Sequence, residues 1–113
     1  MDSKEKVKII YNALDSKKAS DIKILDISEL TSLSEYFIIC SCSSAVQVRA
    51  CVDEAEEKLK EQGELAHHKE GYSGGAWVLA DFGDVILHVM QAETREFYNI
   101  ERLWADAPEF TVQ

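Results

Sequence analysis

Gly75-Ala76-Trp77-Val78-Leu79-Ala80-Asp81-Phe82-Gly83-Asp84-Val85-Ile86-Leu87-His88-Val89-Met90 is the stretch whose reading decides the fold of this chain. Strand side chains alternate between two faces. The stretch reads as two strands around a two-residue turn at Phe82-Gly83. That turn sets Asp81 opposite Asp84, Leu79 opposite Ile86, and Trp77 opposite His88. Val78, Ala80, Val85, Leu87 and Val89 then form a purely aliphatic face that belongs in a core. The other face carries an indole, an imidazole and two carboxylates. Like charges directly opposite one another weaken a hairpin. A face of that kind calls for a cation, a partner or open solvent, and it is the first place to look for function.

Around the hairpin, the remaining segments are read from periodicity. Val7, Ile10, Tyr11 and Leu14 follow helical spacing, with Asp2 or Ser3 as cap. Ile22 to Ile27 reads as a strand, and Tyr36 to Cys40 as an interior strand buried on both sides. Ser44-Ala45-Val46-Gln47 matches a capping box. It opens a helix whose inward stripe is Val48, Cys51, Val52, Ala55 and Leu59, with Gly63 at its left-handed end. Glu64 to His68 reads as a short edge strand. Gly71, Gly74 and Gly75 make a loop, and Glu93 to Trp104 reads as one last helix with Phe97, Ile100 and Trp104 on one side. The order is α-β-β-α-β-β-β-α. It predicts an α/β domain with a mixed central sheet flanked by helices, antiparallel in the hairpin and parallel around the capped helix. Residues 1–107 are expected to form the single domain, and residues 108–113 a short tail.

Composition narrows the function. The 113 residues are 46% hydrophobic and 29% charged, as in an ordinary globular domain. No apolar run is long enough to span a membrane. The polar start, Met1 to Lys6, lacks a signal peptide's apolar segment, so the cytoplasm is expected. The three cysteines, Cys40, Cys42 and Cys51, are odd in number and fit reduced thiols. Cys40 and Cys42 are expected on opposite faces of their strand. Together with His67 and His68 they match no familiar zinc spacing. Twelve basic residues against 21 acidic ones, a net charge of −9, argue against direct binding of DNA or RNA. The same charge favours a basic protein partner or serves solubility alone.

Several groups carry candidate chemistry. Asp81 and Asp84, alone or with Asp26, have the types needed to hold magnesium in nucleotidyl transfer, but two carboxylates and a glycine at a hairpin are also ordinary turn chemistry and a weak signal for metal. His88 has the type of a general base but no evident nucleophile beside it. Trp77 is balanced between core and interface, since exposed aromatics beside charge form binding hot spots. Arg95 and Tyr98 share a helical face, either meeting a partner or bracing the helix.

The hairpin stretch resembles the signature of the ribosomal silencing factor (Iojap-like) family. Asp26-Ile27, Tyr36-Phe37-Ile38-Ile39, Gln47-Val48-Arg49-Ala50, Arg95-Glu96-Phe97-Tyr98 and Leu103-Trp104-Ala105-Asp106-Ala107 match as well, in order, across Lys4 to Ala107. The resemblance implies a nucleotidyltransferase-like fold without enzymatic activity or cofactor, and a homodimer. It implies binding to the large ribosomal subunit at the fourteenth protein of its series, on the intersubunit face. Small-subunit joining is thereby blocked and translation repressed when nutrients are short. Cys42-Ser43-Ser44 departs from the family, where a glycine stands in the strand-helix turn. The expected partner patch is Trp77, Asp81, Asp84, His88, Arg95, Tyr98 and Glu101, its carboxylates pairing with Lys or Arg of a basic ribosomal protein. The alternatives are a metal-dependent nucleotidyltransferase using Asp26, Asp81 and Asp84, and a dimeric adaptor for another basic protein.

Overall fold

The computed structural model describes residues 1–112. Its elements are α1 (Ser3–Ser16), β1 (Ser20–Asp26), β2 (Tyr36–Cys42), α2 (Ala45–Lys60), β3 (His68–Glu70), β4 (Trp77–Asp81), β5 (Val85–Gln91), α3 (Ala92–Tyr98) and α4 (Ile100–Leu103). The strands form one mixed sheet in the order β1-β2-β5-β4-β3. β2 runs parallel to β5 and antiparallel to β1, and the β3-β4-β5 side is antiparallel throughout. A parallel pair needs a long crossover, and α2 lies within it. All seven residues of β2 are buried, as its unbroken apolar run requires.

One face of the sheet is covered by α1 and α2. Asp2 caps α1 by accepting from the Glu5 amide at 2.8 Å. Ser44 Oγ caps α2 by accepting from the Gln47 amide at 3.1 Å. The capping box closes on the residue before the cap, since Gln47 Oε1 accepts from the Ser43 amide at 2.7 Å. Val7, Ile10 and Leu14 of α1 join Val48, Cys51, Val52, Ala55 and Leu59 of α2 over Val78, Ala80, Val85, Leu87 and Val89. Gly63 has φ +81 after α2, which makes it the left-handed stop expected there. The opposite face holds a second, smaller cluster of Leu25, Ile27, Phe37, Ile39, Met90 and Ile100, with Trp77, Ile86, Trp104 and Ala107 packed against it.

Four expectations need correction. The hairpin turn is Gly83-Asp84, not Phe82-Gly83: the Phe82 amide donates to Val85 O at 2.9 Å, and Gly83 has φ +89. The pairs are Asp81 with Ile86, Leu79 with His88, and Trp77 with Met90. Moving the turn buries the Phe82 ring in the core instead of leaving it at a tip. The slip is by two residues, so face assignments survive while the opposed pairs do not. The final helix breaks at Asn99, whose backbone is left-handed at φ 45 and ψ 55. The outer strand begins at His68 rather than ending there. Cys40 and Cys42 share one face, as period two demands, and both lie in the larger core. Beyond these corrections, the stretch from Pro108 to Phe110 is docked on the sheet. It runs along β1, with Asp26 N to Pro108 O at 2.8 Å and Phe110 N to Ile24 O at 2.8 Å.

Candidate functional site

The smaller cluster is roofed at one end only, by α3 and α4, and its rim is aromatic. Neighbouring rings form a chain across the sheet: Phe97 to Tyr98 at 5.0 Å, Tyr98 to Trp77 at 5.1 Å, Trp77 to His88 at 6.0 Å, His88 to Phe37 at 4.8 Å, and Phe37 to Trp104 at 5.0 Å. Trp77, Leu79 and Asp81 are half-buried on β4, with Ile86 half-buried on β5. Beside Trp77, Tyr98 is 55% exposed and its neighbour Phe97 is 81% exposed; on α4, Leu103 is 81% exposed as well. Large apolar side chains grouped this way on an open face mark a contact surface.

Beneath the rim lies His88, 5% exposed. Its Nδ1 accepts the indole N–H of Trp77 at 3.1 Å. An indole can only donate, so Nδ1 is bare and the imidazole proton sits on Nε2. That nitrogen is buried without a partner. Burial pushes the His88 pKa down to about 4, so the ring is neutral at physiological pH.

Arg95 is likewise buried. Its guanidinium donates to Asp21 O at 2.7 Å, to Ser41 Oγ at 2.9 Å, and to both carboxylate oxygens of Glu101 at 2.9 and 3.3 Å. The hydrogen bonds from Arg95 hold the Glu101 carboxyl below its usual range despite partial burial. This clasp ties α3 and α4 to the sheet across the Asn99 break. It floors a cavity of about 690 Å³ that Asp21, Glu96 and Asn99 also line.

The two aspartates part company. Asp81 Oδ1 accepts from the Gly83 amide at 2.8 Å and stays on the aromatic face. Asp84 turns to the helical layer, where Lys6 Nζ lies 2.7 Å from Oδ1, and 3.6 Å from Glu64. Asp26 Oδ1 accepts from the Ser28 hydroxyl at 2.6 Å and its amide at 3.0 Å, which lowers its pKa. The three carboxylates are thus engaged separately. Among the described residues no group of three or more His, Cys, Asp or Glu is placed to hold a metal ion. Cys42 and Cys51 are free thiols with sulfurs 3.6 Å apart. A hydrogen bond with Cys40, then burial, push Cys42 up to about 12, against a lowering contact from Cys51.

Of the expected patch, then, Trp77, Asp81 and Tyr98 reach the surface on one face, and Glu101 is partly covered. His88 and Arg95 lie below it, and Asp84 belongs to another contact. Sequence reasoning missed Phe97 and Leu103 as surface groups because it drew one continuous helix. Asn99 was the available signal, since asparagine is the residue after glycine that best tolerates the left-handed region.

The whole chain, residues 1–113, matches a family described as "Ribosomal silencing factor during starvation". It is 40% identical over 108 residues to the ribosomal silencing factor of Bacillus subtilis, covering 96% of this chain and 92% of that one. It is 42% identical over 113 residues to the ribosomal silencing factor of Chromobacterium violaceum, covering 99% and 93%. A mouse relative, "Mitochondrial assembly of ribosomal large subunit protein 1", is 29% identical over 101 residues, covering 87% of this chain and 44% of that one. A crystal structure of a Chromobacterium violaceum protein superposes with a TM-score of 0.91 at 41% identity, covering 100% and 95% of the two chains. One from Bacillus halodurans gives 0.85 at 35% identity, covering 96% and 98%.

Proposed function

The chain belongs to the ribosomal silencing factor family, and on that premise we propose that it docks on the large ribosomal subunit through its aromatic sheet face and blocks small-subunit joining. The observation that carries this reading is an open apolar and aromatic face on a protein of net charge −9. Ribosomal surfaces carry basic proteins, and charge complementarity speeds encounter and selects among partners. Trp77, Tyr98, Phe97 and Leu103 supply the apolar contact, and Asp81 an anionic rim for Lys or Arg. His88, Arg95 and Glu101 hold those groups in place from below. Asp84 adds to the field but keeps its short contact with Lys6.

Inhibition on this reading is steric: an occupied intersubunit face admits no second subunit, and no bond is made or broken. The name of the mouse relative, which speaks of large-subunit assembly, supports the choice of subunit. A basic protein of the intersubunit face is the proposed contact, and the cytoplasm the proposed compartment. Self-association into a homodimer belongs to the same proposal and is checked by light scattering across a concentration series.

The direct test is co-sedimentation with purified large subunits, followed by addition of small subunits. The wild-type chain is expected to pellet with large subunits and to reduce joining. A folded Asp81→Lys/Tyr98→Ala variant is expected to lose binding by about tenfold or more, the scale of hot-spot truncation. Equal binding by that variant would remove the face from the proposal.

A further inference from the structure

Among the described residues, His88 Nε2 is the buried side-chain nitrogen left without a hydrogen-bond partner. Burying a polar group unpaired is costly, and a leucine fills similar space without that cost. The imidazole therefore needs a reason, and its other nitrogen supplies one. Trp77 pairs across the sheet with Met90, and His88 with Leu79. The indole leans diagonally over the ladder, and its N–H meets His88 Nδ1 at 3.1 Å. The other ring against Trp77 is that of Tyr98, which is itself half-exposed and offers tilted contact at 5.1 Å rather than a directional bond.

We propose that His88 is a positioning residue for docking: by accepting the Trp77 N–H it fixes the indole at the sheet surface, so that the partner meets ring carbons instead of a free donor. This rests on the docking reading above. The role requires an acceptor at position 88, and the neutral ring provides one throughout the physiological pH range. It also defines what the partner offers to Trp77. An apolar side chain, or a cation lying over the ring, suits a π surface whose only donor is already used.

The test compares His88→Leu with His88→Gln, whose side-chain oxygen can still accept. Both are checked for a cooperative thermal transition before use. The two tryptophan indole N–H resonances are observed in ¹⁵N-labelled protein, and Trp104→Phe assigns them. In His88→Leu the Trp77 indole proton is expected to exchange with solvent about tenfold faster, and binding to purified large subunits to weaken about tenfold, the scale of one lost hydrogen bond. His88→Gln is expected to keep both close to wild type. Wild-type binding by His88→Leu, or equal losses in the two variants, overturns the positioning role while leaving the docking face intact. Failure of the wild-type chain to co-sediment overturns the docking reading and the positioning role together, and indole exchange in the free chain then reports only the hydrogen bond.

Discussion

Lys6 shows how much one buried charge can settle. Its ammonium group donates to Phe82 O at 3.0 Å and Asp84 Oδ1 at 2.7 Å, which fastens the first helix to the hairpin turn. Burial lowers its pKa, but Asp84 and Glu64 outweigh burial and leave it raised above 10.5. A raised pKa means that folding favours the protonated form. The resulting stability is fully present below the ordinary lysine value and is lost as pH rises through the folded one. Lys6→Met is therefore expected to cost about 2 kcal/mol at pH 7, below the range for fully buried pairs because Asp84 remains partly exposed. Urea denaturation measures the difference, which is expected to shrink once the pH passes 10.5. Nothing in the sequence pattern singles out Lys6. Its place follows from the turn sitting on Gly83-Asp84, which carries Asp84 toward the helical layer. The alternation of Trp77, Leu79 and Asp81 against Val78 and Ala80 was legible because strand parity survives a two-residue slip. The opposed pairs were not, because only burial of the Phe82 ring decides where the turn falls.

At the level of elements, the break at Asn99 does most to shape the candidate surface. Left-handed backbone at that residue lets α3 end and α4 begin in a new direction, and Arg95 holds the two against the sheet through Glu101. A β-branched side chain tolerates that conformation poorly. Asn99→Val is expected to lower stability by roughly 1–2 kcal/mol, while Asn99→Gly is expected to be nearly neutral. Paired thermal melts distinguish them, and weakened large-subunit binding by the valine variant alone would tie the break to docking. Caps, glycine stops and apolar stripes made most elements readable in advance. The broken helix escaped because one asparagine interrupts a pattern that otherwise continues from Glu93 to Trp104.

On the scale of the whole molecule, the two sides of the sheet are unequal. Helices α1 and α2 seal one side, whereas the other is covered at one end and left open at its aromatic rim. The stretch after Ala107 contributes to this closure: Leu25 bridges Glu109, and the Phe110 ring lies 5.5 Å from that of Tyr36. A chain ending at Ala107 is expected to lose about 1–3 kcal/mol of stability, given two backbone hydrogen bonds and one aromatic contact removed. Chemical denaturation of the shortened chain checks this, and unchanged stability would show the docked segment to be ornamental. Pro108 led the sequence reading to place a boundary there, although proline is at home beside an outermost strand. With the Ile24–Asp26 end of that flank occupied, the opposite border is the three-residue run His68-Lys69-Glu70, exposed and carrying opposite charges. A neighbouring copy finds no long, greasy template there on which to add its own backbone. Crowded chains are thereby steered away from fibril nucleation, even though the aromatic rim of the second face stays open and sticky.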